Sequence, residues 1–281
     1  MSFATPLRYP GGKGRLGRWI GEIISTNGLS NGTYIEPYAG GAGAAALLLT
    51  KGMVRRIHIN DIDPALYSFW KVLVDNSKEL VKLIRSSEVT MDARDRAKDI
   101  VRHPDGRDPL VLAFSTLLLN RTSRSGILMG GPIGGRHQLG KYKIDARFNR
   151  EAIIARIEAI ASAKNRIIVT NLDAAELLSG LASSRSKKLV YCDPPYYVKG
   201  YQLYKNHYDH NDHRKISEIM QGLRCPWIVT YDNHPSILDL YKFTQHQTFS
   251  LQYSTHTTRK ESSEMLFYNK LTLHRPPFLH R

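Results

Sequence analysis

Tyr34-Ile35-Glu36-Pro37-Tyr38-Ala39-Gly40-Gly41-Ala42-Gly43 is the stretch on which the fold turns. Thr33 to Ile35 read as a strand, and Ala44 to Leu49 as an apolar helix packed on a sheet. The glycines between them let a ligand approach the backbone without meeting a Cβ. The next apolar run, Arg56-Ile57-His58-Ile59-Asn60-Asp61, reads as a second strand that ends in an acid. At that place in a doubly wound α/β fold an acidic side chain commonly holds ribose hydroxyls. Strand, glycine turn, helix, strand and acid make a nucleoside-binding unit, with Gly40, Gly41, Gly43 and Asp61 as its contacts. The spacing is G-G-x-G rather than G-x-G-x-x-G, which counts against a nicotinamide cofactor.

Further along, Lys188-Leu189-Val190-Tyr191-Cys192 reads as a buried strand running straight into Asp193-Pro194-Pro195-Tyr196. An acid thus ends a strand and enters a loop stiffened by two prolines, with an aromatic ring beyond. Ligands of open α/β sheets collect at the carboxyl ends of strands, so this position suits a site.

Together the two motifs resemble the α group of DNA adenine methyltransferases, the Dam-like family. The resemblance spans nearly the whole chain. Leu7-Arg8-Tyr9-Pro10-Gly11-Gly12-Lys13 looks like the N-terminal segment that contacts the cofactor. Leu119-Asn120-Arg121 and Ser123-Arg124-Ser125-Gly126 look like the DNA-facing loop, and Val169-Thr170-Asn171-Leu172-Asp173 like the stretch whose Asp lies near the cofactor's adenine. Asp212-His213, Ile228 to Asn233, and Arg259 to Tyr268 fit the later motifs. Two departures stand out. Gly130 to Lys143 is basic and Gly-rich rather than a close match, so no target sequence carries over. Tyr9 stands where several relatives have a tryptophan, which keeps an aromatic face.

The resemblance implies a Rossmann-like sheet that binds S-adenosylmethionine and transfers its methyl group to the exocyclic amine of a flipped adenine in double-stranded DNA. It assigns the catalytic positions to Asp193, Pro194, Pro195 and Tyr196. Asp193 and the Pro194 carbonyl would accept the two amine hydrogens, and Tyr196 would stack on the base. Cofactor contacts would come from Tyr9, Lys13, Glu36, Pro37, Tyr38, Gly40, Gly41, Gly43, Asp61, Asp173 and Asp193. Asn120, Arg121, Ser123, Arg124, Arg136, His137, Lys141, Lys143 and Lys199 would meet DNA. The same chemistry on cytosine or RNA adenine is the nearest rival, and a non-catalytic DNA-binding relative the next. Cytosine enzymes tend to carry Ser before the two prolines, so Asp193 leans toward adenine.

Composition bounds the partner. The chain has 281 residues and a formal net charge of +15, a field that favours a polyanion. Its two cysteines, Cys192 and Cys225, offer no disulfide framework and no zinc spacing, in keeping with a reducing cytoplasm. No apolar run is long enough to span a bilayer. Double-stranded DNA is the expected partner in a cytoplasmic, nucleoid-associated protein. A homodimer and a cognate restriction endonuclease are the further partner expectations, and no membrane or metal is expected.

Residues 1–63 and 148–281 read as the cofactor-binding catalytic domain. Residues 64–147 read as a mostly helical target-recognition insertion, with helical spacing in Leu66 to Leu83 and Leu110 to Leu119. The insertion ends in a basic, flexible loop with Arg121, Arg124, Arg136, His137, Lys141, Lys143 and Arg147. Charge of nearly one sign points to DNA rather than to a solvated loop. Two other signals read as bland. His207, Asp209, His210, Asp212 and His213 crowd like metal ligands, but the resemblance places Asp212-His213 at a helix start. Gly11-Gly12-Lys13-Gly14 lacks the strand and the Ser or Thr that a phosphate loop needs.

Overall fold

Alternation of side chains along the strands assigns the two faces of one sheet. A computed structural model describes residues 4–8, 13–182, 186–198, 208–254 and 259–277, with side chains omitted at 13, 251–254 and 259–262. Strands β1 (Thr33–Glu36), β2 (Arg56–Asn60), β3 (Ile167–Thr170), β4 (Lys188–Cys192), β5 (Trp227–Asp232), β6 (Gln245–Ser254) and β7 (Arg259–Asn269) form one sheet in the order β3-β2-β1-β4-β5-β7-β6. The first five are parallel, and β7 inserts antiparallel between β5 and β6. Tyr34, Leu189, Tyr191 and Ile228 face one apolar core, whereas Ile35, Val190, Cys192 and Val229 face the other, the period-2 pattern of strands buried on both sides. This is the α/β Rossmann-like sheet that the sequence led us to expect.

Helices α1 (Gly17–Thr26), α2 (Gly43–Thr50), α3 (Pro64–Asp75) and α7 (Arg150–Ala161) cover the first face, while α8 (Ala174–Leu181), α9 (His210–Gly222) and α10 (Pro235–Leu240) cover the second. Their starts are written in the sequence. Asp63 accepts from Ala65 N at 2.9 Å with Pro64 at the first turn, Asn149 caps α7 and Asp173 caps α8. Asp209 and Asp212 form a reciprocal capping box on α9, which gives those acids a structural use.

Residues 64–147 contain no strand. After α3 come α4 (Ser77–Ser86), α5 (Met91–Arg102) and α6 (Pro109–Thr122). Leu80, Ala97, Val101, Leu112 and Leu118 from these helices join the same core as Tyr34 and Ile57 of the sheet. The helical segment is therefore packed into the sheet's own core rather than tethered beside it. Among the described residues, no helix is long and apolar enough to cross a membrane.

Candidate active site

The sheet order reverses between β1 and β4. From β1 the chain steps outward through β2 and β3, then returns to place β4 on the other side of β1. The register pairs Ile35 with Val190, so the glycine turn after β1 and Asp193 after β4 leave the same edge of neighbouring strands. That crevice is where ligands of doubly wound sheets bind.

The turn itself is drawn tight. Gly40 and Ala42 take positive φ of 47° and 42°, and Thr5 donates to the Gly41 carbonyl at 2.5 Å. A Cβ on Gly43 would come within 2.9 Å of Gly14 Cα, so only glycine admits the N-terminal segment there. Gly40 N donates to Asp61 Oδ2 at 2.8 Å and Asp63 N to Asp61 Oδ1 at 3.0 Å, fixing that carboxyl against the turn. Burial pushes the Asp61 carboxyl up to about 7, although these two donors favour its charged form. Glu36 accepts from Tyr34 Oη at 3.0 Å and from Ala45 N at 3.1 Å, and burial pushes it up to about 8.

One residue that sequence reasoning left unassigned organises this edge. Asn60 donates to the carbonyls of Pro37 and Leu172, both at 2.9 Å. Its Oδ1 accepts from Leu172 N at 2.9 Å and Thr170 Oγ1 at 2.7 Å. The loops after β1, β2 and β3 are thereby tied at one buried amide. The only hint in the sequence was a polar residue closing an apolar strand.

The loop after β4 is anchored by β5 and β7. Thr230 Oγ1 donates to Asp193 Oδ1 at 2.7 Å, and Tyr191 Oη lies 3.0 Å from Thr230 Oγ1. Asp232 accepts from Tyr197 N at 2.8 Å and Val198 N at 3.1 Å. Tyr196 Oη donates at 2.7 Å to Glu264, which is fully buried.

A cavity of about 880 Å³ opens over these elements. Glu36, Pro37, Tyr38, Gly40, Gly41, Gly43, Asp61, Asp173 and Asp193 all line it, as does Pro195. Pro194 and Tyr196 do not. Tyr9 and Lys199 lie outside the described residues, and of Lys13 only the backbone is described. The volume suits a nucleoside-sized ligand, since pockets for such molecules run to about 300–1,000 Å³. A glycine cradle, a buried acid after β2 and carboxyls lining the interior fit S-adenosylmethionine, whose sulfonium and ammonium are cationic.

The candidate DNA-facing residues divide. Asn120 is fully buried, accepting from Arg8 N at 2.7 Å and donating to the carbonyls of Arg8 at 2.5 Å and Gly126 at 3.0 Å. Ser123 is equally buried and accepts from Arg94 Nη2 at 3.1 Å. These two side chains face inward and bond to other parts of the chain, rather than lying at the surface. Arg121 is buried as well and lines the cavity. Arg124, Arg136, His137, Lys141 and Lys143 are exposed. Arg136 pairs with Asp95 at 2.8 Å.

Nor is the basic loop a loose strand of chain. Gln138, at φ 54°, donates to the carbonyls of Ile133 at 2.8 Å and Gly135 at 2.7 Å and accepts from Ile144 N at 2.7 Å. Lys143 Nζ closes on the Gln138 carbonyl at 2.5 Å. The loop is knotted around one amide, with its cationic side chains outside.

Among the described residues, no three His, Cys, Asp or Glu side chains are arranged to hold a metal. His213 is buried against Tyr231, its Nδ1 3.1 Å from the Tyr231 hydroxyl, and burial lowers it to about 4. His207 lies outside the described residues.

Two solved structures are similar in part. A protein of Pyrococcus horikoshii regarded as an RNA methyltransferase is 11% identical over 93% of this chain and 84% of its own, with a TM-score of 0.41. The methyltransferase domain of bacterial CtHen1 is 10% identical over 91% of this chain and 97% of its own, with a TM-score of 0.36. No curated protein matches the chain. The D12 class of N6 adenine-specific DNA methyltransferases matches it over residues 9–256. With that match spanning both the glycine turn and the Asp193 loop, the chain belongs to the D12 class of N6 adenine-specific DNA methyltransferases, which use S-adenosylmethionine as methyl donor.

Proposed function

We propose that this enzyme methylates one specific sequence in double-stranded DNA, taking the target adenine out of the helix before transfer. The observation that carries the reading is the switch point: Asp193 and the glycine turn open into one cavity from adjacent strands. An exocyclic amine inside a duplex is out of reach of such a cavity, and turning a base out costs a few kcal/mol. Stacking on an aromatic ring returns about 1–3 kcal/mol, a role assigned to Tyr196, whose hydroxyl is tied to Glu264.

When bound, S-adenosylmethionine supplies an electrophilic methyl group. The rest falls to the protein. Asp193 accepts one amine hydrogen and the Pro194 carbonyl the other, which pyramidalises the nitrogen and aims its lone pair. The in-line geometry makes alignment a large part of the acceleration. A carboxylate at that place also stabilises the positive charge that develops on nitrogen. A carboxylate is too weak a base to deprotonate a neutral amine, so the proton leaves after transfer. Asp61 holds the ribose and Asp173 lies near the cofactor's adenine, with Tyr9 and Lys13 closing over them.

On this reading residues 64–147 serve target recognition, with Arg124, Arg136, His137, Lys141 and Lys143 on the strand backbone or base edges and Lys199 as a further DNA contact. The enzyme acts in the cytoplasm on nucleoid DNA. A palindromic target would suit a homodimer, and a restriction endonuclease of the same specificity would be its cognate partner.

The test is expression of the wild type and Asp193→Ala in a host lacking adenine methylation, followed by single-molecule sequencing. N6-methyladenine at one recurring motif, absent with the variant, is the expected result. Methylation scattered without a motif, or confined to RNA, would overturn the reading.

A further inference from the structure

Arg121 is 6% exposed, and its Nε has no hydrogen-bond partner. It does not stand alone. Arg8, Arg147 and Arg156 line the same cavity, and the field on Arg121 comes from these three. Among the described residues none of the four is ion-paired. Burial and this like-charge company push Arg121 down to about 9, which leaves it protonated at neutral pH.

A buried cation without a counter-ion is costly, and proteins ordinarily pair it. Here the cavity does contain carboxyls, among them Glu36, Asp61 and Asp193. Among the described residues none of these lies within ion-pair distance of the four arginines.

The architecture holds the arginines there. Asn120 clamps the Arg8 backbone beside Arg121 through both polar atoms of its amide. A Cβ on Gly126 would meet the Arg8 carbonyl oxygen at 2.2 Å, so the N-terminal segment is seated against the end of α6. Arg156 reaches the cavity from α7, and Arg147 from the loop before it. Three separate chain segments and a buried amide thus converge on a cluster with no internal neutralising partner.

We propose that Arg8, Arg121, Arg147 and Arg156 form an oxyanion subsite of the cavity. Its occupant is a carboxylate or phosphodiester brought by the molecules that enter: the carboxylate of the cofactor's amino-acid tail, or a phosphate of the DNA strand. A guanidinium presents a planar fork of donors that matches either group. The inference rests on the methyltransferase reading of the cavity and goes beyond it by naming what neutralises these four arginines.

Calorimetric titration of the full chain separates the two sources. S-adenosylhomocysteine carries the tail carboxylate, whereas 5′-methylthioadenosine shares its nucleoside and thioether but lacks that group. If the carboxylate occupies the subsite, Arg121→Gln weakens S-adenosylhomocysteine by roughly 10- to 100-fold, the scale of a lost charged hydrogen bond, and leaves methylthioadenosine unchanged. If a phosphodiester occupies it, both nucleosides bind as in the wild type. The slope of log affinity for a random duplex against log salt then falls by about one. Unchanged methylthioadenosine binding also reports that the variant is folded. Arg156→Gln, at a half-buried position, repeats the measurement should Arg121→Gln not fold. Equal weakening of both nucleosides, or no change in either arm, would overturn the subsite. Wild-type protein that binds neither nucleoside would remove the cofactor reading and the subsite with it.

Discussion

Thr230 on β5 donates its hydroxyl to Asp193 Oδ1 at 2.7 Å, across to the loop that leaves the neighbouring strand. Tyr191 Oη stands 3.0 Å behind Thr230, so the carboxyl of Asp193 is oriented by a short polar chain running back into the sheet. Replacing Thr230 with Val keeps the shape and removes the donor. Misalignment of Asp193 should cost about 1–3 kcal/mol, roughly 5- to 150-fold in kcat. Affinity for S-adenosylhomocysteine should stay level and Thr230→Ser should recover the rate. A variant as fast as the wild type would sink the positioning role.

Asp193 itself admits no such graded loss. Asp193→Ala should abolish methyl transfer from tritiated S-adenosylmethionine to DNA while S-adenosylhomocysteine still binds. A rate near wild type would contradict the assignment.

Asp61 should make cofactor binding pH-dependent. Its carboxyl is raised to about 7, and the ionised form is the better acceptor for ribose hydroxyls. Affinity should therefore be low below pH 6, rise through pH 7 and level off above 8. Asp61→Asn should bind more weakly and lose that rise, as titrations at several pH values would reveal. A wild type with flat affinity across this window would remove Asp61 from the ribose.

Glu36 affects stability in the opposite sense. Its folded value of about 8 lies above the ordinary 4.5, so between those values the folded state holds the extra proton. Stability from this group is complete below the unfolded value and is lost as pH rises toward 8. Glu36→Gln should flatten the fall, so its melting temperature relative to wild type should climb between pH 5 and pH 9. The same difference at both pH values would refute the linkage.

DNA affinity should fall steeply with salt. Six to ten phosphate contacts would lose about 10³–10⁵ in affinity between 50 and 200 mM. A flat response in a filter-binding series would mean that the surplus charge serves something other than DNA.

The glycine turn, the acid after β2 and the Asp193 loop were legible because each is a local pattern: an apolar strand, then residues that a strand cannot continue. What escaped depends on pairing across the chain. Asn60 is tied to Leu172, and Thr230 to Asp193, contacts that no local window contains. Asn120 and Ser123 were given to DNA by the resemblance, and their partners Arg8 and Arg94 lie far away in sequence, where no local window shows them. The periodicity of α5 was hidden because the buried position Arg94 is charged where an apolar residue would have marked the inner face. Its guanidinium instead holds Ser123 and the Gly130 carbonyl.

The knot around Gln138 bears on kinetics. A segment whose turns are already bonded has little conformational freedom left to lose on meeting a duplex, so that entropic cost falls at folding rather than at encounter. If this loop meets DNA as proposed, association should proceed as docking of pre-formed surfaces, accelerated by long-range charge at low ionic strength. Discrimination between sequences should then fall on the dissociation step, since a pre-formed loop cannot remould itself around a wrong site.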